Sequence, residues 1–186
     1  MLHIHTTKTP DTDASEKLGR LLLQARLDGQ DVLLLLAGGS AFKMYDLIDP
    51  SLLGPHVTLG MTDDRFTDDI INNNFSTLQV TRLYNDTLNS GVWAIGSEPH
   101  AGETHEELRA RYEFGIKKWL ADFPKGQIIA VFGIGTDGHI AGIIPAILSS
   151  EDFEKEFNGT QLVGKLDATG KNEFPLRISV TFPFMR

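Results

Sequence analysis

The 186-residue sequence contains no cysteine, which excludes disulfides, thiolate nucleophiles and thiolate-bound zinc. Cations are scarce: 17 Lys and Arg stand against 25 Asp and Glu, a net charge of −8. That balance argues against nucleic acid or an anionic membrane as partner, since both need clustered positive charge. It also means that any phosphate ligand has to be held by a local cluster of Arg and backbone N–H groups. Long apolar runs are missing too. The longest, residues 32–37, falls far below the ~20 residues that span a bilayer. The opening Met1-Leu2-His3-Ile4-His5 has no basic stretch followed by an apolar one, so no secretory signal is expected. The expectation is a soluble, cytoplasmic protein.

Apolar residues make up 41% and charged residues 23%, ordinary values for a chain that buries one core. No repeat or linker divides it, so residues 1–186 read as a single domain. Asp13-Ala14-Ser15-Glu16 resembles a helix start, followed by Leu18, Leu21, Leu22 and Ala25 at helical spacing. The continuous apolar run Val32 to Leu36 predicts a strand buried on both faces. Further helices are expected over residues 40–48 and 72–83, and a long one after the capping-box pattern Thr104 to Glu107. Strands are expected over residues 56–61, 92–95, 127–132, 162–166 and 176–182, the fourth of these set off by an acidic helix face over residues 151–156. Alternating strands and helices predict an α/β fold: a mainly parallel, Rossmann-like sheet flanked by helices on both faces. Ligands in such folds bind beyond the carboxyl ends of the strands.

Polar or glycine-rich segments follow several of these strands, and the most informative is Gly133-Ile134-Gly135-Thr136-Asp137-Gly138-His139. Glycines after a buried strand let the backbone turn sharply and approach a ligand. A helix beginning nearby would aim free N–H groups at an anion. His139 brings an imidazole, whose ordinary pKa of ~6.5 suits proton transfer near neutrality, and Asp137 places a carboxylate beside it. The glycines also satisfy G-x-G-x-x-G, but a dinucleotide site wants an acidic residue closing a strand about 20 residues on. That region is Ser149 to Glu154, polar and helical in character. A hydrogen-bonded turn histidine without chemistry is the plainer alternative for His139.

The stretch Gly133 to Ala141, with Pro145 following, resembles the signature shared by 6-phosphogluconolactonases and glucosamine-6-phosphate deaminases. Leu36-Ala37-Gly38-Gly39-Ser40 is similar to the family's first phosphate loop. Thr62-Asp63-Asp64-Arg65 with Asn73-Asn74-Phe75 resembles the lactonase pattern Asp-Glu-Arg followed by Ser-Asn-Tyr, and Pro175-Leu176-Arg177-Ile178-Ser179 resembles its Pro-x-Arg-Ile-Thr strand. The motifs stand in family order from about residue 13 to 182. Departures are Ala41-Phe42 for Thr-Pro, Gly142-Ile143-Ile144 for Ser-Leu-Phe, and Asn172-Glu173-Phe174 for Lys-Pro-Pro. The family continues beyond the position of Arg186, so a shortened member is expected, with strand 176–182 leaving one sheet face uncovered. Deaminases carry a catalytic Glu where this chain has Ile144, which favours the lactonase reading.

The resemblance implies hydrolysis of a phosphorylated sugar lactone, in a fold shared with sugar-phosphate isomerases and CoA transferases. His139 is then the general base, and Asp137 either orients it or caps the turn. Arg65 and Arg177 are candidate phosphate ligands, because a guanidinium fork binds phosphate bidentately. The plainer readings are an ion pair from Arg65 to Asp63 or Asp64, and a surface Arg on a strand. Gly38, Gly39 and Ser40 offer an anion site at a helix start, or a plain strand-to-helix turn. Asp63 either touches sugar hydroxyls or holds Arg65. His3, His5, His56, His100 and His105 show no metal-ligand spacing, so neither metal nor cofactor is expected. Two alternatives stay open: a deaminase-isomerase, and a non-catalytic sugar-phosphate sensor.

Overall fold

A computed structural model of the chain describes residues 3–144 and 147–186; Pro145 of the motif lies outside the described residues. In chain order the elements are α1 (Pro10–Leu27), β1 (Val32–Leu36), α2 (Phe42–Tyr45), β2 (Val57–Met61), β3 (Asp63–Arg65), α3 (Asn74–Gln79), α4 (Arg82–Thr87), β4 (Trp93–Ala94), α5 (His105–Asp122), β5 (Gln127–Ala130), α6 (Ser150–Phe157), β6 (Val163–Asp167), β7 (Leu176–Val180) and α7 (Phe182–Met185).

The unbroken apolar run of β1 needs cover on both faces, and it takes an inner position in a parallel sheet of order β4-β2-β1-β5. Its alternate side chains feed two cores. Val32, Leu34 and Leu36 pack with Leu18, Leu22 and Ala25 of α1 and Tyr45 of α2. Leu33 and Leu35 pack against Leu108, Tyr112, Ile116 and Trp119 of α5. The sheet is thus parallel with helices on both faces, as expected. The Thr104–Glu107 capping box also forms with both of its reciprocal bonds.

The structure departs from expectation where tertiary pairing outweighs local pattern. The later strands do not extend the parallel sheet: β3, β7 and β6 form a separate antiparallel sheet of that order. The expected uncovered face at the chain's end is packed. Ile178 and Val180 are 1% and 0% exposed and join the core of Leu33 and Leu35 under α5. Helix α1 begins at Pro10 rather than Asp13, because proline's fixed φ and missing N–H suit a first helical turn. The helix expected over residues 72–83 is two, since Thr81 restarts it by accepting a bond from Tyr84 N. Strand β5 is an edge, with only Ile129 buried, rather than a buried strand. Among the described residues no helix is long and apolar enough to cross a membrane.

Candidate functional site

Segments leaving the carboxyl ends of β1, β2 and β5 meet at one edge of the parallel sheet, where such folds bind ligands. After β1, the buried Tyr45 hydroxyl accepts from Ala37 N at 2.9 Å and donates to Ala37 O at 3.0 Å, closing the strand end. Gly38 follows in extended conformation. A Cβ there would lie 2.1 Å from Asn74 Oδ1, so glycine is what lets the Asn74 side chain rest on this loop. The helix expected over residues 40–48 is reduced to a single 3-10 turn, Gly39–Ala41, and the four-residue α2. So short a helix has little dipole. Gly38, Gly39 and Ser40 are left with their own N–H groups and the exposed Ser40 hydroxyl as anion donors.

Past β2, strand alternation in β3 sends Asp63 and Arg65 to one face and Asp64 to the other. Asp64 is fully buried and accepts four hydrogen bonds: Arg65 N at 2.8 Å and Asn74 N at 2.6 Å on Oδ1, Phe75 N at 3.0 Å and Ser97 Oγ at 2.6 Å on Oδ2. It ties β3 to the start of α3. Burial pushes its carboxyl up to about 7 against the pull of these donors, Ser97 first. A carboxyl raised in the folded state contributes stability below its ordinary value, and loses it as pH rises through about 7. Asp64→Asn keeps the acceptor toward Arg65 N and Asn74 N but sets an NH₂ against Phe75 N. We expect a loss of about 1–3 kcal/mol together with a flatter dependence of stability on pH between 5 and 8. Urea unfolding across that range measures both.

The antiparallel pairing puts Arg65 directly opposite Arg177 and Asp63 opposite Ser179. Like charges facing each other across a ladder repel, so this pair wants an anion. Arg177 is 7% exposed, with Nη1 3.6 Å from Asp63 Oδ2 and Nε donating to Phe174 O at 3.2 Å. Arg177 is therefore a buried residue rather than a surface one. Burial lowers the Arg177 guanidinium from its ordinary value, while Asp63 pulls it back up. Burial raises the Asp63 carboxyl, against the nearby charges of Arg177 and then Arg65. The ion pair considered for Arg65 with Asp63 or Asp64 does not form; Asp63 pairs with Arg177 instead. Arg65 stacks 4.2 Å over the Phe174 ring and donates from Nη1 to Asn72 O, while its buried Nε has no partner among the described residues.

After β5 the chain enters the loop of residues 133–139. Gly135 N donates to His139 O at 2.9 Å, and a Cβ on Gly135 would sit 2.2 Å from the imidazole, so glycine lets the ring fold back over the loop. The His139 ring Nδ1 lies 2.5 Å from Asp137 Oδ1. The same oxygen accepts from His139 N at 3.3 Å, so Asp137 both caps the turn and orients the ring. These hydrogen bonds from His139 hold the Asp137 carboxyl below its ordinary range. A carboxylate at that place accepts from an Nδ1–H, the tautomer in which Nε2 is the ring's acceptor. Among the described residues no helix follows directly to aim N–H groups at an anion. Ile140 instead makes isolated bridges to Ile134 and Ile143, and the next helix is α6. Between them Ala141 takes a strained φ of 50°.

Gly38, Gly39, Ser40, Asp63, Arg65, His139 and Arg177 all line one open cleft of about 200 Å³. Asp137 stands behind His139 rather than on the wall. Asn74 and Ala141 also line the cleft and were not singled out from sequence. Asn74 N donates to Asp64, and Asn74 Nδ2 donates to Asp63 O at 3.1 Å, bridging β3 to the Gly38 loop. Its place in Asn73-Asn74-Phe75 was the available signal. Chemically, the cleft is lined both by an imidazole able to accept a proton and by the cross-strand guanidinium groups of Arg65 and Arg177. That arrangement suits attack by water on an anionic substrate.

By sequence, the chain matches no family model and no curated protein. By structure it is similar to 6-phosphogluconolactonases. It superposes on that of Shewanella baltica with a TM-score of 0.71 at 21% identity, over 98% of this chain and 75% of the other. The enzyme of Thermotoga maritima gives 0.66 at 21% identity, over 97% and 77%. That of Trypanosoma cruzi gives 0.67 at 16%, over 98% and 74%. The chain has the fold of the 6-phosphogluconolactonases.

Proposed function

We propose that the chain is a divergent member of the 6-phosphogluconolactonase family and hydrolyses 6-phospho-D-glucono-1,5-lactone to 6-phosphogluconate, in the cytoplasmic pentose phosphate pathway. The observation that carries this reading is the His139–Asp137 pair, with His139 lining the same cleft as the cross-strand Arg65 and Arg177. Asp137 holds Nδ1–H, and Nε2 takes a proton from water as its oxygen attacks the lactone carbonyl. The ring C–O bond then breaks, the leaving ring oxygen receives that proton, and the carboxylic acid so formed releases its own proton to bulk water to become the carboxylate. The substrate phosphate carries about −1.5 to −2 charges and relieves the repulsion between the two guanidinium groups. Gly38, Gly39 and Ser40 supply further donors, and Asp63 keeps Arg177 in place. The reaction balances with water alone.

A deaminase is disfavoured because Ile144 offers no carboxylate and is buried with Phe157 and Leu166. The test is hydrolysis of freshly generated 6-phosphogluconolactone, corrected for spontaneous opening. We expect enzyme-dependent opening. Binding of 6-phosphogluconate with no added rate would make the protein a sensor, and faster ammonia release from glucosamine 6-phosphate would make it a deaminase.

A further inference from the structure

Among the described residues Arg65 makes no ion pair. The Asp63 carboxylate is taken by Arg177, and that of Asp64 by backbone N–H groups and Ser97. The antiparallel register nonetheless sets Arg65 directly opposite Arg177, where two guanidinium groups repel. That repulsion acts on the less confined of the two, and Arg65 is half-buried where Arg177 is buried. A further contact is needed to keep the Arg65 charge on the cleft.

The connection between β6 and β7 supplies it. Ala168 N donates to Pro175 O at 2.9 Å and closes this loop at its base. Within the loop Asn172 Oδ1 accepts from Phe174 N at 3.0 Å, and the Pro175 that follows keeps Phe174 out of helical backbone. Phe174, held in this way, touches both arginines. Arg65 Cζ lies over its ring, 4.2 Å from the centroid, and its carbonyl accepts from Arg177 Nε at 3.2 Å. The one hydrogen bond of the Arg65 guanidinium among the described residues runs from Nη1 to Asn72 O at 3.2 Å. A ring face attracts a cation without neutralising it and without accepting its N–H groups in hydrogen bonds. A carboxylate in the same place would do both, and would compete with an incoming phosphate.

We propose that Phe174 is the positioning residue of the anion anchor: its ring holds the Arg65 guanidinium at the cleft, still charged and with donors to spare, beside Arg177. The inference rests on the lactonase reading for its ligand, a sugar phosphate.

The test is a double-mutant cycle on 6-phosphogluconate affinity, measured by calorimetry. Phe174→Leu keeps an apolar side chain and the carbonyl that Arg177 uses, but it has no ring face. Binding should weaken ~3–30-fold in this variant and return to the wild-type value in Phe174→Tyr. Added to Arg65→Ala, Phe174→Leu should bring no further loss, because the ring then has no guanidinium to hold. Unchanged affinity in Phe174→Leu overturns the proposal, and so does a Phe174→Tyr as weak as Phe174→Leu. An equal loss in the Arg65→Ala background also overturns it, since that is the result of a loop that has only loosened. Lactone turnover separates this inference from the function it rests on. The expected cycle in a protein that opens no lactone leaves Phe174 its role and removes the lactonase. Hydrolysis with both affinity and KM unchanged in Phe174→Leu does the reverse. A wild-type protein that binds no 6-phosphogluconate overturns both.

Discussion

Replacing His139 with asparagine is expected to lower lactone turnover by ~10²–10⁴ while leaving product binding intact. Asparagine is close in size and still forms hydrogen bonds, but it cannot accept the proton of the attacking water. The loop keeps its shape in this variant. Its turn is held by Gly135 N to His139 O and Gly138 N to Gly135 O, both backbone bonds. Asp137→Asn is the companion measurement: it removes the charged acceptor at Nδ1 from a residue outside the cleft lining. Turnover should fall in both variants and 6-phosphogluconate affinity in neither. Wild-type turnover in His139→Asn would make this histidine a structural turn residue and remove the mechanism.

Arg177→Ala is expected to cost both ligand affinity and stability. Losing one charged hydrogen-bonding partner of a phosphate is worth ~1.5–3 kcal/mol, a tenfold or greater loss of affinity. Arg177 also compensates Asp63, and both are at least nine-tenths buried. Breaking such a pair from one side costs about 3–5 kcal/mol. The Asp63 carboxyl is already raised by burial, and Arg177 is the largest influence lowering it. Without Arg177 it rises further, and a raised carboxyl loses its stabilising contribution as pH climbs through its folded value. The destabilisation should therefore be greater at pH 8 than at pH 5 in urea unfolding. Arg65→Ala separates the two effects. Arg65 has no ion pair to break and stacks on Phe174, so it should lose similar affinity for 6-phosphogluconate with a smaller loss of stability. Unchanged affinity in Arg65→Ala, measured by calorimetry, would move the phosphate anchor elsewhere.

The local pattern of the chain determined the parallel sheet's inner strand and the helix set by the Thr104–Glu107 box. An all-apolar run needs cover on both faces, and reciprocal capping is complete within four residues. It also determined which segments stand at the strand ends, because glycine-rich turns after apolar strands mark the sheet's carboxyl edge. Tertiary structure alone decided how those segments meet. Strands β3 and β7 are over one hundred residues apart in sequence, and only their antiparallel register sets Arg65 against Arg177 and gives Asp63 its partner. The same pairing buries Ile178 and Val180, which had suggested an uncovered face. The motif Asn73-Asn74-Phe75 marked Asn74 but not its contact with the Gly38 loop, since that depends on a glycine 36 positions earlier coming within reach of its amide. Hydrogen-bond partners and charge compensation at long separation are properties of packing, and no local periodicity encodes them.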